Sequence, residues 1–210
     1  MLNAIKKNAK VLIIAAIAST GLVAVTHQLT KSTILEQQRA QLLTTLGQLI
    51  DPTTHDNNLA TSCILLDAPD ILGSKVPMPA YIATMQGNPV AIAIETIAPD
   101  GYNGNIHLVM GIDLNGEVQG VRVLEHQETP GLGDKIEKRV SDWVDGFSGQ
   151  QMDTNDMAKW QVRKDGGQFD QFTGATITPR AVVNAVARTG RYFLENQADV
   201  LANAPACEEQ

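Results

Sequence analysis

The run Ile106-His107-Leu108-Val109-Met110-Gly111-Ile112-Asp113-Leu114-Asn115-Gly116-Glu117-Val118 decides the fold. Ile106, Leu108, Met110 and Ile112 alternate with His107, Val109 and Gly111, the period of a half-buried strand. Asn115-Gly116 follows, the strongest short hairpin signal, because both residues tolerate positive φ. Residues 118–124 then read as the returning strand. Upstream, residues 81–85 and 90–97 are strand-like and flank a Gly87-Asn88-Pro89 turn. Consecutive strands joined by short turns imply an antiparallel sheet.

Downstream of the sheet the period changes. Ile136, Val140, Trp143, Val144 and Phe147 recur at helical spacing and predict a helix after residue 133. A last helix is expected from Pro179. Its apolar stripe is Val182, Val183, Val186, Ala187, Gly190, Phe193 and Leu194, and its wet face is Arg180, Asn184, Arg188 and Arg191. The tail beyond Ala202 is expected to fray. The fold class is therefore α+β, helices packed on an antiparallel sheet.

Outward toward the N-terminus, Lys6, Lys7 and Lys10 precede an uncharged run that starts at Val11 and ends at Lys31. A helix needs roughly 20 apolar residues to span a bilayer. A cleaved signal peptide has the same basic-then-apolar order, but Ala16-Ile17-Ala18 lies inside the run and no small-residue site closes it. The run is read as one retained transmembrane helix. The lysines put the N-terminus in the cytoplasm and residues 31–210 on the periplasmic side of a bacterial inner membrane. Leu35, Leu42, Leu46 and Leu49, with Glu36, Gln37, Gln38 and Arg39 between them, continue the helix until Asp51-Pro52 stops it. Residues 53–79 read as irregular or partly helical. The expected organisation is thus a tail and anchor at 1–30, a connection at 31–78 and a folded domain at 79–210.

The net charge of −7, from 16 basic and 23 acidic residues, argues against a nucleic-acid partner. Cys63 and Cys207 form no CxxC pair, and His27, His55, His107 and His126 stand apart, so no metal site is expected. The two cysteines could form one disulfide outside the cytoplasm or remain free thiols.

Two segments exceed what packing requires. The first is Asp170-Gln171-Phe172-Thr173-Gly174-Ala175-Thr176-Ile177-Thr178-Pro179. With Pro179 opening a helix, Thr178 becomes its N-cap, and the helix N-terminus favours an anion. A phosphate on the Thr178 oxygen would lie in that field, although a plain cap at Thr178 and a plain turn at Gly174 satisfy the same pattern. The second is Glu128-Thr129-Pro130-Gly131-Leu132-Gly133, running into Asp134. Pro130-Gly131 sets a turn, Gly133 admits close approach to a flat ligand, and Asp134 can cap the next helix. A simple strand-to-helix connection has the same composition.

Together with Asp100-Gly101-Tyr102-Asn103-Gly104, these segments resemble the FMN-binding domain family over roughly residues 80–195. Within it, the chain is most similar to the G subunits of Rnf/Rsx electron transport complexes. The resemblance implies FMN attached covalently, through its phosphate, to Thr178. It implies contacts from Thr173, Gly174, Ala175 and Thr176 and from Glu128, Thr129, Pro130, Gly131, Leu132 and Gly133. It also implies a separate flavin transferase that uses FAD and recognises Asp170 in the DxxTGAT pattern, consistent with a threonine hydroxyl that has no base beside it in sequence. The implied role is an electron carrier between ferredoxin and NAD in a sodium- or proton-translocating oxidoreductase, with the other members of the complex as partners and no substrate turnover of its own. Two rivals are the C subunit of the sodium-pumping NADH:quinone reductase, which shares the domain, and a non-redox, membrane-tethered binding module.

Overall fold

The computed structural model describes residues 2–207. Side chains at 2–5 and at Lys7, Val11, Ser32, Leu35, Gln38 and Arg39 lie outside the described set, as do residues 208–210 of the tail. The chain forms two compact units, residues 1–42 and 43–210. Helix α1 spans Leu2–Leu49, and its last turns belong to the second unit. Within it, Asn8–Lys31 is long and apolar enough to cross a membrane. Leu12, Ile13, Ile14, Ile17, Leu22, Val23, Val25 and Leu29 are all exposed, as suits a helix whose apolar surface meets lipid rather than protein.

The second unit is built on one six-stranded antiparallel sheet in sequential order. The strands are β1 (Cys63–Leu66), β2 (Met78–Met85), β3 (Asn88–Gly101), β4 (Gly104–Asp113), β5 (Glu117–Glu125) and β6 (Gln150–Gln151). One short helix, α2 (Pro69–Leu72), lies between β1 and β2, and the long helix α3 (Ile177–Asn203) closes the chain. The α+β expectation holds. The Asn115-Gly116 hairpin forms as expected, with Gly116 at φ 92° and the Asp113 carboxylate accepting from the backbone of Asn115 and Glu117. The earlier hairpin turns one residue sooner than its Gly-Asn-Pro run suggests. Gln86 and Gly87 both take positive φ, and Pro89 falls inside β3, paired with Thr84.

Three expectations need correction. Strand β4 is buried on both faces, because Val109 and Gly111 do not face water. Gly111 and Gly120 are cross-strand partners, and Leu49 packs into the space their missing side chains leave. Leu46, Leu49, Ile50 and Leu59 are buried with it. The stretch 53–79, read as irregular or partly helical, does carry a 3-10 turn and α2, but it also contributes the strand β1 and the start of β2. Third, no α-helix forms between residue 133 and the start of α3 at Ile177. Two 3-10 segments, Gly133–Ile136 and Asp142–Phe147, place Ile136, Val144 and Phe147 in the core, while Val140 stays exposed. Helical spacing recurs here because two separate turns reach the same core.

The other sheet face carries the main core: Ile92, Ile94, Ile106, Leu108, Met110 and Ile112 against Val182, Val183, Val186 and Phe193 of α3. Thr189 donates to Thr96 across this interface at 2.9 Å. Gly190 lets Met152 and Met110 pass close to the helix backbone. Arg188, expected on the wet face, instead donates to the Ile71 carbonyl at 3.3 Å and ties α3 to α2. The valines in α3 have modest helix propensity, and burial overrides it.

Candidate functional site

The N-terminus of α3 is held by aromatic packing on the segment before it. Phe147 stacks on Phe169 at 4.4 Å, and Trp143 meets Phe172 edge-on at 5.1 Å. The Trp143 indole N–H donates to the Asp170 carbonyl at 2.9 Å. Between these anchors and α3, Ala175 N–H donates to Phe172 C=O, closing a turn with Gly174 at φ 82°. The second segment turns in the same way: Leu132 N–H donates to Thr129 C=O, with Gly131 at φ 78° after Pro130.

These turns enclose a cavity of about 300 Å³ lined by Tyr102, Glu128, Thr129, Leu132, Gly133 and residues 174–178. It is at the small end of the range for ligand pockets. The two candidate segments, separate in sequence, therefore share one site. Leu132, Ile177 and Tyr102 are exposed and supply apolar surface to it. Thr173 and Pro130 stand exposed on the two turns outside the lining. Asp170 is on the surface, paired with Arg163 at 2.8 Å.

Thr178 is not the N-cap. Helix α3 begins at Ile177, so Thr178 is its second residue, 1% exposed, and Pro179 its third. Its hydroxyl does not turn back to the helix backbone but donates to Oε2 of Glu128. No carboxylate stands beside Thr178 in sequence, and the one that its hydroxyl meets comes from 50 positions earlier. Glu128 is 5% exposed, and its Oε1 accepts from the Asn103 N–H at 3.1 Å. Gly133 makes its close approach to this pair. A Cβ there would stand 2.7 Å from Glu128 Oε2 and 2.9 Å from Thr178 Oγ1. Asp134 caps nothing, and its Oδ1 is buried without a hydrogen-bond partner.

Behind Glu128, its backbone N–H donates to Nδ1 of His126 at 2.9 Å. That bond leaves the His126 proton on Nε2, 2.5 Å from Oε1 of Glu137. The Arg139 guanidinium, and then His126, hold the Glu137 carboxyl below its ordinary value against the opposing effect of burial. Gly101, Tyr102, Asn103 and Ile177 were not singled out as site residues in the sequence. The Asp100–Gly104 run was the available signal, since β3 and β4 meet there beside the pocket.

The FMN-binding domain family model matches residues 101–189, which bracket every residue of the cavity, and the RnfG N-terminal region model matches residues 1–49. The G subunit of the ion-translocating oxidoreductase complex of Vibrio atlanticus is 58% identical over 207 residues, 99% of both chains. That of Vibrio cholerae is 56% identical over the whole of both chains. This chain belongs to the family of ion-translocating oxidoreductase complex G subunits. The G subunit of Shewanella oneidensis is 55% identical over 99% of this chain and 98% of its own. The crystal structure of the C subunit of the Na⁺-translocating NADH-quinone reductase from Parabacteroides distasonis aligns at TM-score 0.47 and 19% identity, over 63% of this chain and 75% of that one. Membership in the G-subunit family sets aside the rival assignment of this chain to the quinone reductase.

Residues of this G subunit fit a flavin mononucleotide on structural grounds. Apolar side chains are exposed at the cavity, which suits a ring, and Thr178 brings a hydroxyl into the lining, which suits a phosphate end.

Proposed function

We propose that this protein is a membrane-anchored electron carrier that holds FMN covalently on Thr178 within an ion-translocating oxidoreductase complex. The observation that carries this is the Thr178 hydroxyl, buried in the fold yet part of the cavity lining that the two glycine turns build. Bound there, FMN would supply the redox chemistry. The chain supplies position: Leu132, Ile177 and Tyr102 offer apolar contact, and Gly131 and Gly174 hold the turns. A phosphoester tether leaves the ring itself free and prevents loss of the cofactor outside the cytoplasm.

A flavin transferase with FAD as donor would load Thr178, reading Asp170 and Thr173–Thr176. Asp170 and Thr173 are exposed, as recognition by another protein requires. The remaining members of the complex are the other partners, and electron flow between ferredoxin and NAD is the expected context.

The anchor is read as a single span with a cytoplasmic N-terminus and a periplasmic FMN domain. Two features support this: the lysines before the span, and a Cys63–Cys207 disulfide, which belongs to an oxidising compartment.

The test is in-gel fluorescence after SDS denaturation, with the full chain and its Thr178→Ala variant each co-expressed with a flavin transferase. A fluorescent band present in wild type and lost in the variant is expected. Two dark bands would return the cavity to a non-redox binding module.

A further inference from the structure

We propose that Glu128 is the catalytic base that takes the Thr178 proton when the flavin phosphoester forms, a role that rests on Thr178 being the attachment residue. The hydroxyl already donates to Glu128 Oε2, so the acceptor touches the reacting oxygen. A threonine hydroxyl is a weak nucleophile until a neighbouring base relieves it of its proton. Among the other side chains of the lining, Tyr102, Thr129 and Thr176 carry only hydroxyls, and the rest are apolar or glycine.

The surroundings of Glu128 are costly for a purely structural residue. It is buried, and among the described residues it has no ion-pair partner. A buried carboxylate held by two hydrogen bonds but by no cation is still costly to desolvate, and an apolar side chain of similar size would satisfy the packing. Yet the fold makes room for this carboxylate on two sides. A Cβ at Gly101 would lie 2.9 Å from Oε1, and one at Gly133 would lie 2.7 Å from Oε2. The Asn103 N–H fixes Oε1, leaving Oε2 for the hydroxyl.

In the loading step Thr178 Oγ1 forms a bond to the FMN-side phosphorus of FAD. The bond from that phosphorus to the bridging oxygen breaks, and AMP leaves with the electron pair. The hydroxyl proton passes to Glu128 Oε2. The balance is FAD, a threonine hydroxyl and a carboxylate giving a threonyl phosphoester, AMP and a carboxylic acid. Proton transfer also removes the negative charge that would otherwise face the new phosphate at hydrogen-bond distance.

The test is the rate of covalent loading of the purified full chain in detergent, with purified flavin transferase and FAD. Covalent flavin is read by in-gel fluorescence, and its position by peptide mass spectrometry. Glu128→Gln keeps the shape and the acceptor oxygen but cannot take the proton. Its kcat for loading is expected to fall about 100-fold or more, with KM for this chain within about threefold of wild type. Thermal unfolding is followed in parallel. If Glu128→Gln does not fold, Glu128→Ala carries the test, because formate can occupy the space of the lost carboxylate. Loading that rises with formate supports the assignment, and loading indifferent to formate overturns it. Wild-type loading on Thr178 matched by Glu128→Gln within about threefold would sink the Glu128 role alone and leave the attachment standing. Wild type taking no covalent flavin would sink both.

Discussion

Glu128 passes beneath Gly133 so closely that a methyl group at position 133 would stand 2.7 Å from its carboxylate oxygen. Gly133→Ala must therefore push the carboxylate, the Thr178 hydroxyl or the 3-10 turn aside. Overpacking a buried site costs about 1–3 kcal/mol. Gly131, one turn away, meets nothing within 4 Å of an added Cβ, but it sits at φ 78°. Gly131→Ala should cost only the left-handed backbone penalty, about 1–2 kcal/mol. The two variants separate in flavin loading: Gly133→Ala should load slowly, and Gly131→Ala near the wild-type rate. Urea unfolding and in-gel fluorescence of the full chain in detergent check both halves.

Trp143 reaches from a 3-10 turn to the segment that precedes α3, donating to the Asp170 carbonyl and packing edge-on against Phe172. Trp143→Phe keeps an aromatic ring and deletes the donor. A loss of about 1 kcal/mol is expected from one hydrogen bond. Trp143→Ala also removes the ring contacts, and the loss should reach about 3 kcal/mol or more. If both variants unfold at the wild-type urea midpoint, this aromatic cluster does not hold the site.

Much of this architecture was legible in the sequence because short-range chemistry dictates it. Residues 106–118 gave a strand and a hairpin through alternation and Asn-Gly, and the valine stripe gave α3. The burial of Val109 was not legible, because it depends on Leu49 arriving from 60 positions away to fill the space at Gly111 and Gly120. Helical spacing across residues 136–147 misled for a related reason: periodicity records which residues go inward, and two 3-10 turns satisfy the same pattern. At the site, the motifs marked Thr178 and the Glu128–Gly133 loop. The contact between Thr178 and Glu128 is a product of topology, with β5, the loop after it and the start of α3 converging, and no local pattern encodes it.

The disulfide between Cys63 and Cys207 links β1 to the end of the chain, where Leu65 N–H also donates to the Pro205 carbonyl and Cys207 N–H to the Cys63 carbonyl. A cross-link that closes so long a loop restricts the unfolded chain strongly, and removing it typically costs about 2–5 kcal/mol. Cys63→Ser should lower the unfolding midpoint. Reductant should bring wild type down to the level of the variant and leave the variant unchanged. Thiol titration of the denatured protein isolated from its native membrane should find no free thiol. Two free thiols there would count against a periplasmic domain.

Tyr81 donates to Glu95 at 2.9 Å from the adjacent strand. Burial is the main cause that raises the Glu95 carboxyl above its ordinary 4.5, with the Tyr81 hydrogen bond opposing it. Burial, and then the Glu95 charge, push the Tyr81 phenol up as well, so it remains a donor at neutral pH. For a carboxyl raised on folding, the folded state holds the proton more tightly than the unfolded state. Its contribution to stability is therefore fully present below 4.5 and is lost as pH climbs from there through the raised folded value. Glu137 and Asp165 are shifted downward and act in the opposite sense, so only a difference between variants isolates Glu95. Glu95→Gln keeps an acceptor for Tyr81 and removes the titration. Relative to wild type, it should gain stability as pH rises through that window and hold the gain at pH 7. Unfolding midpoints of both proteins from pH 4 to 8 would show this, and parallel curves would mean that Glu95 titrates alike in the folded and unfolded chain.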